Sequence, residues 1–389
     1  MYNSTVMEAI RIDDRISYIP ATENPLSADV GIIEGDNAVW FFDVGSEERV
    51  AEFIKNYDTG VNAQSEPKKK YAVIECDEAA SKTVLQYLKP EVIVATNVFR
   101  DQLDRYGEIT HTLNNIIEGI SHSPESLLCL NADCSLIASI PSHVKNPVVF
   151  FGLNVPLEPG DSKELSDAPH CIHCKTEYEY SYRTYGHLGG FRCPHCGYRR
   201  REPEYAVTDV TAQRAEGSSI VLSVRGKKTL AEVNLPALYN VYNAAGAVAA
   251  VTEMGLGAEA AVTALAEFKC GFGRMEQFKL GPGGAKVMLV KNPAGCNQVL
   301  DFLHNITEKF LLVVCLNDRG ADGTDISWIW DADFEKLGAL SGRLARVIVS
   351  GDRAGDMAVR IKYAGVDPRF VTIERDYEAL ISSLEAQEL

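Results

Sequence analysis

Between Tyr71 and Ile109 the chain reads YAVIECDEAASKTVLQYLKPEVIVATNVFRDQLDRYGEI. Two short apolar runs, YAVIEC and EVIVATNV, flank EAASKTVLQYL, whose apolar residues recur at helical spacing. The order continues with a helix at ITHTLNNIIEGI (109–120) and strands at SLLCLN (126–131) and PVVFFGL (147–153). Near-continuous Val/Ile strands alternating with amphipathic helices predict an α/β domain, a parallel sheet with helices on both faces.

Working outward, the stretch before Tyr71 differs. ISYIP, ADVGIIE and AVWFFDVG, between Ile16 and Gly45, read as adjacent strands, and DTGVNAQSEPKKK (58–70) is polar and reads as a junction. The opening resembles the first strands of a metallo-β-lactamase-fold hydrolase. No histidine occurs before His111, so that fold's metal ligands are missing and a packing role is expected. Downstream, SIVLSVRGKKTLAEV (219–233) is β-rich, and LYNVYNAAGAVAAVTEM with EAAVTALAEF forms a helix pair (238–268). After LGPGGA (280–285), strands KVMLVKN, KFLLVVCLN, RVIVSG and RFVTIE mark a second, smaller α/β domain.

The chain has 389 residues, 46% hydrophobic and 24% charged, with net charge −16. That size predicts two or three globular domains, and that charge argues against a nucleic-acid ligand. No apolar run of about 20 residues and no leader-like N-terminus is present, so a cytoplasmic protein is expected.

Cys171 and Cys174 in CIHC and Cys193 and Cys196 in CPHC form two C-x-x-C knuckles 18 residues apart. Two tight turns at that separation bring four thiolates to one tetrahedral ion, with Zn²⁺ the expected metal. Four protein ligands close the shell, so the site is structural; His173 and His195 are superfluous as ligands. The basic run Tyr198–Arg201 reads as a solvated strand end.

Several segments together resemble the MurT family, the Mur ligase-like subunits of lipid II isoglutaminyl synthase. Glu75 stands at a strand end, where the family helps hold Mg²⁺, and Asn97, Arg100, Asp101 and Asp104 match its following loop. Asn240 and Asn243 match an Asn-x-x-Asn helix start that reads adenine, though a helix-capping role is open to them. Arg274 in GFGRMEQF matches a phosphate-facing arginine, and KNPAGCNQVL (291–300) matches the motif opening the family's C-terminal domain. LNDRGADGTDISWIWDADFEKL (316–337) and VSGDRAGDMAVRIKYAGV (349–366) are the most specific matches.

The resemblance implies a central domain at 58–284, with a zinc ribbon at 165–205, and a C-terminal domain at 285–389, after the 1–57 fragment. It implies ATP and Mg²⁺, and a heterodimer with a class I glutamine amidotransferase subunit (GatD-like). The reaction would amidate the D-Glu α-carboxyl of the lipid II stem peptide at the inner face of the membrane. Asp325 would complete the partner's Cys-His-Asp triad; read on its own residues, it is an Asx turn or helix cap.

Two features depart from the family. Its phosphate loop is missing, since Gly226-Lys227-Lys228-Thr229 lies between strands and reads as a hairpin turn, and the C-terminal domain looks short. An inactive, zinc-containing partner-binding scaffold is the alternative expectation.

Overall fold

The computed structural model describes residues 17–18, 31–34, 38–42, 71–74, 76, 78, 80–99, 109–155, 167–214, 217–268, 274–281, 283–319, 324–340 and 342–386. The chain divides into two compact units, one of residues 1–91, 110–126 and 141–147, the other of 92–109, 127–140 and 148–389.

In the first unit β1 (Ser17–Tyr18), β2 (Gly31–Glu34) and β3 (Ala38–Phe42) run antiparallel, and β4 (Tyr71–Ile74) joins β3 in parallel. The strand YAVI, read from sequence as opening the alternating domain, therefore pairs with the opening strands. Helices α1 (Ser81–Tyr87) and α2 (Ile109–Ser121) approach closely, because a Cβ on Gly119 would lie 2.7 Å from Ser81 O. Ser81 Oγ donates to Asn115 O at 3.2 Å across that contact.

The second unit is built on a six-stranded sheet. Strands β5 (Val92–Ala95), β6 (Leu127–Asn131) and β7 (Val148–Leu153) are parallel. A ribbon hairpin, β8 (Glu179–Arg183) and β9 (Gly189–Arg192), precedes β10 (Tyr205–Gln213), which pairs in parallel with β7. Beyond β10 the expected parallel sheet continues as an antiparallel meander through β11 (Ser218–Val224) and β12 (Lys227–Val233). Arg225 (φ 46°) and Gly226 (φ 88°) are both left-handed, as a tight hairpin turn requires, so the Gly-Lys-Lys-Thr segment is a hairpin.

Successive residues of β7 point to opposite faces. Phe151 is fully buried against Gly246 of α3 (Leu238–Glu253), where an added Cβ would come within 3.1 Å of the ring. Phe150 faces the other way and packs against the ribbon core of Tyr178 and Phe191. The ribbon is thus a second layer on the sheet. Helix α4 (Ala258–Glu267) follows α3 and packs beside β12.

After the β13 (Arg274–Leu280) and β14 (Gly283–Met288) hairpin, helix α5 (Pro293–His304) begins in the NPAG motif. Asn292 caps it, its Oδ1 accepting from Gly295 N at 2.8 Å, and Pro293 stands where a helix tolerates proline best. Strands β15 (Phe310–Cys315), β16 (Leu344–Ser350) and β17 (Val371–Ile373) form a parallel sheet, with α6 (Ala354–Tyr363) and α7 (Tyr377–Glu385) alternating. Its core gathers Leu300, Leu303, Phe334, Leu337, Val347, Val349, Met357 and Ile361.

Asp133, in the turn after β6, is fully buried and joins three layers. Its Oδ2 accepts from Leu153 N at 3.0 Å and from the Tyr242 hydroxyl at 2.6 Å, and its Oδ1 accepts from Arg200 Nε at 2.5 Å. Its backbone O accepts from Gly189 N at 3.0 Å. Arg200 lies in the basic run expected to be solvated; its neighbours Arg199 and Arg201 are exposed, but its own side chain is only 11% exposed. Burial alone would pull the guanidinium's pKa down, and the Asp133 carboxylate more than reverses this. Removing one partner of such a buried pair leaves a charge with no counterion, at a cost of about 3–5 kcal/mol. Asp133→Ala is expected to lower the unfolding free energy by about that amount, measured by urea denaturation, whereas Arg199→Ala should leave it within about 0.5 kcal/mol.

Candidate metal centre and the Asp325 loop

The two knuckles repeat one backbone pattern. Cys171 N donates to Thr176 O and Cys193 N to Tyr198 O, both at 2.7 Å. Lys175 N donates to Cys171 O at 2.9 Å and Gly197 N to Cys193 O at 3.1 Å. The residue after each second cysteine is left-handed, Lys175 at φ 64° and Gly197 at φ 77°. Glycine meets that demand without strain, as expected for Gly197; Lys175 meets it without glycine.

The four sulfurs lie within 4.8 Å of one another, with Cys171–Cys196 at 3.6 Å and Cys174–Cys193 at 3.4 Å. Metal–sulfur bonds of about 2.3 Å in a tetrahedron would set sulfurs roughly 3.8 Å apart. The cluster therefore fits one ion held by four thiolates. Cys174 is drawn down to about 5, first by its contact with the Thr176 hydroxyl. A hydrogen bond from the Tyr198 backbone lowers Cys196, but desolvation and the neighbouring sulfurs outweigh it and push that thiol up to about 12. Four close thiols cannot all ionise without a cation to balance them. His173 packs edge-on against Tyr198, ring centroids 4.6 Å apart, and among the described residues no histidine joins the cluster.

Tyr178, Phe191 and Tyr198 wall the site beneath the knuckles, with ring centroids 5.3 Å apart for Tyr178–Phe191 and 5.4 Å for Phe191–Tyr198. Tyr198 also donates to Ser135 O at 2.7 Å, tying the second knuckle to the Asp133 turn. Beside it His187 and Cys134 are fully buried, Nε2 to Sγ 3.5 Å, and burial pushes the imidazole down to about 4.

Asp325 sits elsewhere, just before the 3₁₀ turn Ser327–Trp330. Its Oδ1 accepts from Ser327 N at 2.8 Å, which is the Asx-turn geometry its residue type suggested. The LNDR and SGDR loops leave the carboxyl ends of β15 and β16 and lock together. Asn317 Oδ1 accepts from Asp352 N at 3.0 Å, and Arg319 grips Asp352 at 2.6 and 3.2 Å, holding that carboxyl below its usual range. Gly351 (φ 89°) is required there, because a Cβ would lie 2.4 Å from Leu316 O.

Of the nucleotide residues expected from sequence, Glu75, Arg100 and Asp101, together with Asp104, lie outside the described residues. Arg274 opens β13, with its side chain likewise outside. Asn97 is partly buried in the loop after β5. Asn240 and Asn243 share one face of α3, Asn243 Nδ2 donating to Asn240 Oδ1 at 3.4 Å. Neither caps the helix, whose N-cap is Ala237; Asn240 is buried and donates to Pro236 O at 2.5 Å, while Asn243 is exposed. Sequence reasoning missed Asp133, Arg200 and Arg360, each a charged residue whose burial depends on partners far along the chain.

An α/β central sheet, a small parallel C-terminal domain and the NPAG helix start define a Mur ligase-like protein. Solved structures agree: the pseudomurein peptide ligase type C from Methanothermus fervidus aligns with TM-score 0.55 and 23% identity over 80% of this chain and 58% of that one. MurF ligase from Thermotoga maritima in complex with ADP aligns with TM-score 0.56 and 12% identity, covering 90% and 79%. Residues 289–389 match the model of the MurT ligase C-terminal family. The lipid II isoglutaminyl synthase (glutamine-hydrolyzing) subunit MurT of Staphylococcus aureus is 33% identical over 323 residues, 83% of this chain and 71% of that protein. Its Streptococcus pneumoniae counterpart is 31% identical over 325 residues, with the same coverage. The chain belongs to the MurT family.

The metal cluster yields a direct expectation. Purified under reducing conditions, the chain should carry one zinc equivalent by elemental mass spectrometry, and Cys171→Ser or Cys193→Ser should lose it. Thiols protonate as pH falls, so a zinc indicator should register release on acidification and not on raising the pH.

Proposed function

We propose that the chain is the ligase subunit of a glutamine-dependent lipid II amidating enzyme, with a class I glutamine amidotransferase as its partner. The supporting observation is Asp325. Its carboxylate is fixed by Ser327 N on a loop within LNDRGADGTDISWIWDADFEKL, which with VSGDRAGDMAVRIKYAGV carries the most specific resemblance to the family. A carboxylate so held suits the third place in a Cys-His-Asp triad, where it would orient the partner's imidazole and stabilise the imidazolium.

In this reading the partner releases ammonia from glutamine. The D-Glu α-carboxylate takes the γ-phosphoryl group of ATP, ammonia attacks the acyl carbon, and phosphate leaves with formation of the D-isoglutamine amide. Mg²⁺, when bound, would offset charge on the transferring phosphoryl group. Glu75, Asn97, Arg100 and Asp101 would serve that end, and Arg274 would face the phosphates. The exposed carboxamide of Asn243, aligned by Asn240, offers the donor and acceptor pair an adenine edge needs. The cysteine cluster would hold structural Zn²⁺ and take no part in the chemistry. The division at 58–284 and 285–389 is retained in this proposal, with catalysis at the inner face of the membrane; no described helix is long and apolar enough to cross one.

A specific observation favours a second reading. The Gly-Lys-Lys-Thr segment lies in the β11–β12 hairpin, not at a helix N-terminus, so it is no phosphate cradle. That favours a scaffold that binds the amidotransferase without using ATP.

The test mixes the chain with a class I amidotransferase subunit, glutamine, Mg-ATP and lipid II, and scores the amidated product by mass spectrometry. Product is expected, with Asp325→Asn lowering glutamine hydrolysis by about 10⁴-fold, as when a triad carboxylate is lost. A stable complex without product would select the scaffold.

A further inference from the structure

Arg360 lies on α6 within VSGDRAGDMAVRIKYAGV, beside the buried Met357 and Ile361. It is 3% exposed. Nε donates to Ile329 O at 2.9 Å and Nη2 to Ala332 O at 2.7 Å, carbonyls at the end of, and just beyond, the turn that Asp325 opens. Nη1 and Nη2 also grip Glu335 at 3.0 and 2.7 Å, holding that carboxyl below its usual range. The guanidinium stacks 5.6 Å from the Trp330 ring and 5.2 Å from Phe334. From the other side, Asn297 of the NPAGCN motif accepts from Asp333 N at 2.7 Å.

We infer that Arg360 is the positioning residue of the partner-facing loop: it fixes the 325–335 segment so that Asp325 is presented in one orientation. The inference rests on the amidotransferase reading above. The two carbonyls it binds flank Trp330, which is half-exposed against Tyr363, ring centroids 5.7 Å apart. Lysine keeps the charge but not the planar fork, and reaches at most part of this set of acceptors. Arg360 touches no reacting group. It acts on glutamine hydrolysis only through Asp325, and its effect must vanish when Asp325 cannot act.

That dependence is measurable as a double-mutant cycle on glutamine hydrolysis by the full chain in complex with a class I amidotransferase subunit. Arg360→Lys is expected to lower kcat by about tenfold or more, as misplaced catalytic groups do, with KM for glutamine and affinity for the partner unchanged. Added to Asp325→Asn, it should cause no further loss. Wild-type kcat in Arg360→Lys would overturn the inference. So would a double variant that falls below Asp325→Asn by the factor Arg360→Lys shows alone, since that marks a merely structural role. Full activity in Asp325→Asn would remove the underlying reading and the inference with it. If Arg360→Lys does not fold, Glu335→Gln weakens the clamp from its solvent side. It is then expected to lower kcat by about threefold, and no change would overturn the inference.

Discussion

A fully desolvated carboxylate must be met by donors from every side, and Asp133 is met by three layers at once. The end of β7 supplies Leu153 N, the ribbon supplies Arg200, and α3 supplies the Tyr242 hydroxyl. The ribbon is consequently part of the sheet's packing and not an appendage. Gly152 reflects the same crowding, since a Cβ there would lie 2.7 Å from Asp133 Oδ1. The cysteine cluster completes the layer by closing the knuckles over Tyr178, Phe191 and Tyr198, whose burial alone is small for a free-standing module.

The C-terminal domain solves a different problem, which is to hold an exposed loop still. Its parallel strands deliver LNDR and SGDR to one edge, where Arg319, Asp352 and Asn317 interlock. Asn297 and Arg360 then hold the following segment through its backbone, with the Glu335 carboxylate adding to the Arg360 clamp. Such a loop is prepared to meet a partner at little entropic cost.

Much of this was legible in the sequence. Strand–helix alternation set by apolar run length located the central and C-terminal sheets, and C-x-x-C spacing located the cysteine cluster. Asp325 was legible as an Asx turn, and its triad role stands as a proposal that the resemblance alone suggested. The β11–β12 hairpin was legible in the turn at Gly226–Thr229, but its antiparallel addition to β10 was not, because strand periodicity carries no direction. Arg200 was read as part of a solvated strand end and Arg360 was not singled out, since their partners Asp133, Ile329 and Ala332 are remote in sequence and only folding brings them together. The pairing of YAVI with the opening strands was hidden by the polar stretch between them.

At the centre of the proposal stands the Asp325 carboxylate, which would orient an amidotransferase's histidine. The most direct measurement is a structure of the chain with a class I amidotransferase subunit. The account predicts the Asp325 carboxylate within about 3 Å of the catalytic histidine's ring nitrogen, with the 325–335 loop unchanged. A complex in which Asp325 faces solvent, or in which another carboxylate reaches that histidine, would contradict it.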